Sequence, residues 1–138
     1  MGPAMISITV ELPAGPDEVF TAITDANVIL KWSGEKGKVD LKIGGKVEMF
    51  GGWVKGKVVD YYPGRSLTYT WCPNDWPKEI GNSVVQFKLS PTRLGTKVTL
   101  RHSNFPSEQE KGNHKSGWKE YFFDPLRKYL ASLTPAQP

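Results

Sequence analysis

From residue 38 to residue 103 the chain alternates short strand-like stretches with joints rich in glycine and proline. That rhythm leaves little choice of architecture. Lys38 to Ile43 is followed by Gly44-Gly45, Lys46 to Phe50 by Gly51-Gly52, and Trp53 to Tyr62 by Pro63-Gly64. Ser66 to Cys72 runs into the loop PNDWPKEIGN, and Ser83 to Leu89 passes through SPTRLG into Thr96 to Ser103. Glycine and proline set the backbone angles of tight turns, so these joints read as hairpin connections. Consecutive hairpins build an antiparallel meander.

The flanks supply the remaining elements. MISITVEL, residues 5 to 12, alternates with period two and reads as a first strand. Pro16 suits the first turn of a helix, with Asp17 and Glu18 near its positive end and Val19, Phe20 and Ile23 as its apolar stripe. Val28, Ile29, Leu30 and Trp32 mark a second short helix ending before Ser33-Gly34. FPSEQEKGN reads as a polar loop. After it, Trp118, Phe122, Leu126, Tyr129, Leu130 and Leu133 recur at helical spacing. Pro125 inside that pattern either kinks the helix or starts a new one capped by Asp124.

The expected fold is therefore α+β. A curved antiparallel seven-stranded sheet wraps a long C-terminal helix, with two short helices after the first strand. A twisted sheet of that size cannot lie flat on one helix, so it curls and encloses a volume. A chain of 138 residues fits one domain, placed at residues 5–133. MGPA, residues 1–4, reads as an appended leader with Met5 as a natural start, and residues 134–138 as a flexible tail.

Composition narrows the function classes. The net charge is +4, but the 18 Lys and Arg are scattered, and without a basic block nucleic-acid binding is not expected. No apolar run approaches the ~20 residues of a membrane span. Cys72 is the single cysteine, which rules out an intrachain disulfide and fits a reducing, cytoplasmic setting. Two His and one Cys show no ligand spacing, so no metal or other cofactor is expected. GGWVKGKV resembles a phosphate loop, but Val58 stands where Ser or Thr must bind magnesium.

Aromatic residues make up 12% of the chain, with five Trp. Alternation puts Leu67, Tyr69 and Trp71 on one face of a strand, Val85, Phe87 and Leu89 on another, and Val98, Leu100 and His102 on the last. Trp118 and Phe122 lie one turn apart on the helix. These residues either fill a core or wall a cavity, which in ligand sites is typically apolar with a few polar groups. His102 has three roles open to it: closing the strand end on a backbone carbonyl, meeting a ligand inside the cavity, or acting as a general base. Glu79, Glu108 and Glu110 are the carboxylates that loops could bring to it. His114, near the start of the last helix, is expected to face solvent.

With VELPAGPDEVFTAITD, Trp32, IGGKVEMF, VKGKVVDYYPGRSLTYTW, VVQFKLSPTRLGTKVTLRHSNF and GWKEYFFDPLRKYL, the chain resembles the START-like or SRPBCC helix-grip superfamily. Within it, the sequence resembles the family of the C-terminal domain of the activator of heat-shock protein 90 ATPase. The resemblance implies a sheet gripping the C-terminal helix around a cavity, where superfamily members bind lipids, sterols, polyketides or hormones. Pro125 departs from a helix usually written without proline. The leading expectation is a module binding a small, largely apolar molecule. Its contacts are Trp53, Tyr69, Trp71, Phe87, His102, Trp118 and Phe122, with His102 or a tyrosine hydroxyl at the ligand's polar end. A chaperone partner of the ATPase-activator type and a small polyketide cyclase or dehydratase-like enzyme are the alternatives. No catalytic residue is assigned. A monomer or weak homodimer is expected.

Overall fold

The computed structural model describes residues 5–76 and 82–133. The expected tail at 134–138, the leader at 1–4 and Glu79 lie outside the described residues. The order is β1 (Met5–Leu12), α1 (Pro16–Thr24), α2 (Ala26–Ser33), β2 (Lys38–Val39), β3 (Lys46–Met49), β4 (Val54–Tyr62), β5 (Ser66–Pro73), β6 (Ser83–Thr92) and β7 (Gly95–Ser103). A helical segment follows: α3 (Glu108–Gly117), a π-helical turn (Trp118–Phe123) and α4 (Asp124–Leu133).

All seven strands form one curved antiparallel sheet in the order β1-β7-β6-β5-β4-β3-β2. The hairpin joints therefore set the topology, and β1 crosses to pair with β7. Alternation decides the inner face. Leu67, Tyr69 and Trp71 on β5, Val85 and Phe87 on β6, and Val98, Leu100 and His102 on β7 are all buried. Phe87 stands opposite both Leu67 and Leu100, and Val85 opposite His102. Gly56 in β4 lies so close to β5 that a Cβ there would meet the Thr70 carbonyl oxygen at 1.8 Å. Only glycine fits that approach, which accounts for the glycine inside GGWVKGKV without any phosphate role.

Local chemistry fixes the short helices. Pro16 opens α1 with Asp17 and Glu18 in its first turn. The Asp25 carboxylate caps α2 by accepting the N–H groups of Asn27 at 2.9 Å and Val28 at 3.1 Å. Gly34, in the left-handed region at φ 75°, ends it. Trp32 donates its indole N–H to the Ala22 carbonyl at 2.7 Å and meets Phe122 edge-on, with ring centroids 4.8 Å apart. The pair of short helices is thus closed against the terminal helix.

Two sequence expectations need correction, and the choice left open at Pro125 receives an answer. The strand expected over Lys38 to Ile43 shortens to Lys38–Val39, because Asp40, Lys42 and Gly45 fold back in successive turn hydrogen bonds. The polar loop gives way to helix at Glu108. Ser107 caps that helix, its hydroxyl accepting the Glu110 N–H at 3.1 Å. At Pro125 the chain stays helical: Asp124 and Pro125 open α4 directly after a π-helical turn. Proline lacks an N–H and crowds the carbonyl four residues back. The preceding turn widens to a π-helix, in which the Asp124 N–H bonds the Lys119 carbonyl five residues back.

Candidate functional site

A cavity of about 420 Å³ lies at one end of the grip. The sheet contributes Phe50 and Trp53 from the β3–β4 turn, Trp71 from β5, and Asp75 just beyond it. The helical segment contributes Glu110, Asn113, His114 and Gly117 from α3, and Trp118, Tyr121 and Phe122 from the π-helical turn. The spacing His114, Trp118, Phe122 puts one residue per turn on the inner face. The Phe50-Gly51-Gly52 turn runs entirely through positive φ, at 54°, 69° and 91°. Two glycines make that path accessible, and the turn carries Phe50 toward Trp71, at a centroid distance of 6.4 Å. Asn74 fastens the turn to the end of β5. Its side-chain amide donates to the Gly52 carbonyl at 3.1 Å, and its backbone N–H donates to that of Trp53 at 2.8 Å.

Behind the cavity the rings are packed, and the polar atoms of His102, Trp118, Ser83 and Trp71 are paired with one another or with protein groups, while the Tyr69 hydroxyl and the Trp76 indole N–H have no partner among the described residues. Trp118 donates its indole N–H to His102 Nδ1 at 3.0 Å. His102 Nε2 is 2.7 Å from Ser83 Oγ, and that hydroxyl donates to the Trp71 carbonyl at 2.6 Å. With the serine proton so committed, His102 must donate from Nε2 and accept at Nδ1, which is the neutral tautomer. A second relay runs beside it. Trp71 donates its indole N–H to His114 Nε2 at 3.2 Å, and His114 Nδ1 donates to the Glu110 carbonyl at 3.0 Å. The two imidazoles sit with centroids 5.3 Å apart.

Burial holds both histidines neutral. Desolvation, with His114 as a lesser like-charge neighbour, pushes His102 down to about 2. His114 is also lowered, mainly by burial, with its bond to the Glu110 carbonyl and the Glu110 and Asp75 carboxylates acting in opposition. Burial likewise raises the Tyr69 hydroxyl, which has no hydrogen-bond partner among the described residues.

The seven residues singled out from the sequence divide between these layers. Trp53, Trp71, Trp118 and Phe122 line the cavity. Tyr69, Phe87 and His102 are buried behind it. His102 closes its strand neither on a loop carbonyl nor with a carboxylate, but between an indole and a hydroxyl. Glu108 is a surface residue 3.8 Å from Lys111, and Glu110 attends the other histidine. His114 is buried rather than solvent-facing, a correction that follows from the earlier start of α3. Sequence reasoning also missed Phe50, Asp75, Asn113 and Tyr121. The capping pattern Ser107-x-x-Glu110 was the available signal for α3, and through it for His114.

Among the described residues, no cluster of three or more His, Cys, Asp or Glu could hold a metal ion, and no helix is long and apolar enough to cross a membrane. Cys72 is half-buried with a free thiol.

Known proteins resemble the chain along most of its length. The crystal structure of PFC0360w, an HSP90 activator from Plasmodium falciparum, superposes with a TM-score of 0.82 at 29% identity, covering 92% of this chain and 96% of that one. CalU16 from Micromonospora echinospora gives 0.79 at 31% identity, covering 94% and 77%. The activator of 90 kDa heat shock protein ATPase homolog 2 of Mus musculus is 24% identical over 114 residues. That match covers 83% of this chain but 34% of the mouse protein, so the chain spans about a third of the length of that relative. The family model described as Activator of Hsp90 ATPase homolog 1-like protein matches residues 13–131, from the end of β1 to the last turns of α4, and the chain belongs to that family.

Proposed function

We propose that the protein binds a small, largely apolar molecule in the cavity between the sheet and the terminal helical segment. One observation carries this reading. The inner face is densely filled around His102, yet at its end six aromatic side chains surround a concavity of about 420 Å³. Ligand sites of small molecules run roughly 300–1,000 Å³ and are mostly apolar. Trp53, Trp71, Trp118 and Phe122 make the contacts. Tyr69, Phe87 and His102 form the rigid layer that holds them. Since both nitrogens of His102 are engaged by protein groups, the ligand's polar end meets the rim instead. Titration with the neutral fluorophore N-phenylnaphthylamine tests the reading. Saturable one-to-one enhancement, weakened by Trp53→Ala and Tyr121→Ala, is expected. Absence of saturable binding overturns it.

A chaperone partner is the second reading, favoured by the near-complete match to a solved HSP90 activator. On this reading the chain works in the cytoplasm, a setting that the lone cysteine also fits. It predicts stimulated ATP turnover by a purified chaperone of that class, and unchanged turnover at saturating protein removes it. The cyclase-type reading draws no support from the histidines, whose ring nitrogens are all engaged.

A further inference from the structure

The chemistry of the cavity's polar atoms points further than its apolar walls. Resting on the apolar-ligand reading, we propose that the ligand carries a positively charged amine or quaternary ammonium group, seated at the mouth between the aromatic rings and the carboxylates of Asp75 and Glu110.

Consider what an incoming polar group finds. The indole N–H of Trp71 is donated to His114, and that of Trp118 to His102. The Nδ1 proton of His114 is donated to the Glu110 carbonyl. The strong donors on the inner wall are therefore all used. What remains at the rim is neutral: the Asn113 amide, the Tyr121 hydroxyl and the Trp53 indole, with Tyr121 61% and Trp53 42% exposed. An anionic ligand would lose its water and gain no cation in return, which is costly.

Among the described residues, the charged lining residues have one sign only. They are Asp75 and Glu110, and among the described residues no Lys or Arg lines the cavity or comes within 4.0 Å of either carboxylate. Glu110 Oε1 is 3.9 Å from His114 Nδ1, but burial keeps that ring neutral, so it does not cancel the carboxylate. In a chain of net charge +4, a cavity whose described lining holds acidic residues and no basic ones is set against its own surroundings. Aromatic faces add to the preference. A cation within ~6 Å of a ring centroid is attracted by the ring quadrupole, most strongly for Trp, and a box of rings is the usual receptor for quaternary ammonium.

The test compares three ligands that share one ring system and differ in charge: naphthylmethyl trimethylammonium, naphthylmethanol and naphthylacetate. Affinities are read by quenching of the protein's Trp fluorescence at neutral pH. The cation is expected to bind roughly tenfold or more tightly than the alcohol, the size of one close ion pair or a desolvated cation–ring contact. The carboxylate is expected to bind weakest. Added salt narrows the gap, because the rim carboxylates are solvent-accessible. In the double variant Asp75→Asn, Glu110→Gln, the cation's advantage falls to about threefold, the share left to the rings, while the alcohol binds within about twofold of the parent. Equal affinity for cation and alcohol, or tighter binding of the carboxylate, overturns the charge preference and leaves the apolar-ligand reading standing. Failure of all three ligands to bind overturns both.

Discussion

Around His102 and at the cavity mouth the molecule uses the same residue types, tryptophan and histidine, to opposite ends. At His102 the indole of Trp118, the imidazole, the Ser83 hydroxyl and the Trp71 carbonyl form a closed relay, with His102 and Ser83 fully buried. At the mouth Trp53 and Tyr121 are exposed, at 42% and 61%. The first region is core that happens to be polar. The second is surface that happens to be aromatic. Aromatic content alone does not tell a wall from a filling; here the polar atoms of His102, Trp118 and Ser83 are paired inside the protein, while no hydrogen bond ties the Trp53 side chain to the protein among the described residues.

The largest effect that separates the two regions comes from His102→Leu. Leucine fills most of the space but strands the Trp118 N–H and one face of the Ser83 hydroxyl in a dry interior. A buried donor left unsatisfied costs about 1–3 kcal/mol, and the lost packing of the ring adds to it, so the variant should lose about 3 kcal/mol in urea unfolding. An unchanged midpoint would mean that the relay contributes nothing and that His102 is held there for another purpose. Ser83→Ala is the milder version. It leaves the His102 Nε2–H without an acceptor and should cost about 1–2 kcal/mol, with the fold otherwise intact.

Acid sharpens the same contrast. His102 is held at about 2 in the folded chain and returns to the ordinary histidine value, near 6.5, when unfolded. Above that value neither state binds the proton, and stability is unaffected. Below it the unfolded chain takes up a proton that the folded chain refuses, so stability falls as pH falls. From pH 7 to pH 5.5 the loss from His102 is about 1 kcal/mol, and His114, lowered in the same direction, adds to it. Urea midpoints at the two pH values give the slope. In His102→Leu the His102 contribution should vanish. A slope that persists unchanged in that variant would assign the acid sensitivity elsewhere.

The polar core was less legible in sequence than the fold. The glycine and proline joints between 38 and 103 and the period-two alternation of Leu67, Tyr69, Trp71 and of Val98, Leu100, His102 announced the meander and its inner face. Each of those signals is local. The partners of His102 are not: Ser83 is 19 residues away and Trp118 is 16, on two different elements, and only the completed sheet brings them together. The mouth was half visible for the same reason. Trp53, Trp71, Trp118 and Phe122 stood out as large rings on predicted faces. Asp75 and Asn113 are ordinary polar residues whose meaning comes from the cavity they border. Pro125 shows the limit from the other side. Its missing N–H left a kink or a new helix start open, and the chain meets it with a π-helical turn before α4 that also presents Trp118 and Phe122 inward.

The smallest stability effect should fall at the mouth. Trp53 is 42% exposed, its ring lying against His114 with centroids 6.3 Å apart, and no hydrogen bond ties its side chain to the protein among the described residues. Trp53→Ala therefore removes a large ring without stranding a polar partner. Exposed substitutions that break no cap, network or core contact usually stay within about 0.5 kcal/mol. If the urea midpoint holds to that range while affinity for N-phenylnaphthylamine drops several-fold, the ring is there for what enters the cavity. If the variant is destabilised as much as Ser83→Ala, Trp53 is the outer edge of the packed core, and the boundary between core and cavity moves out to the surface of the protein.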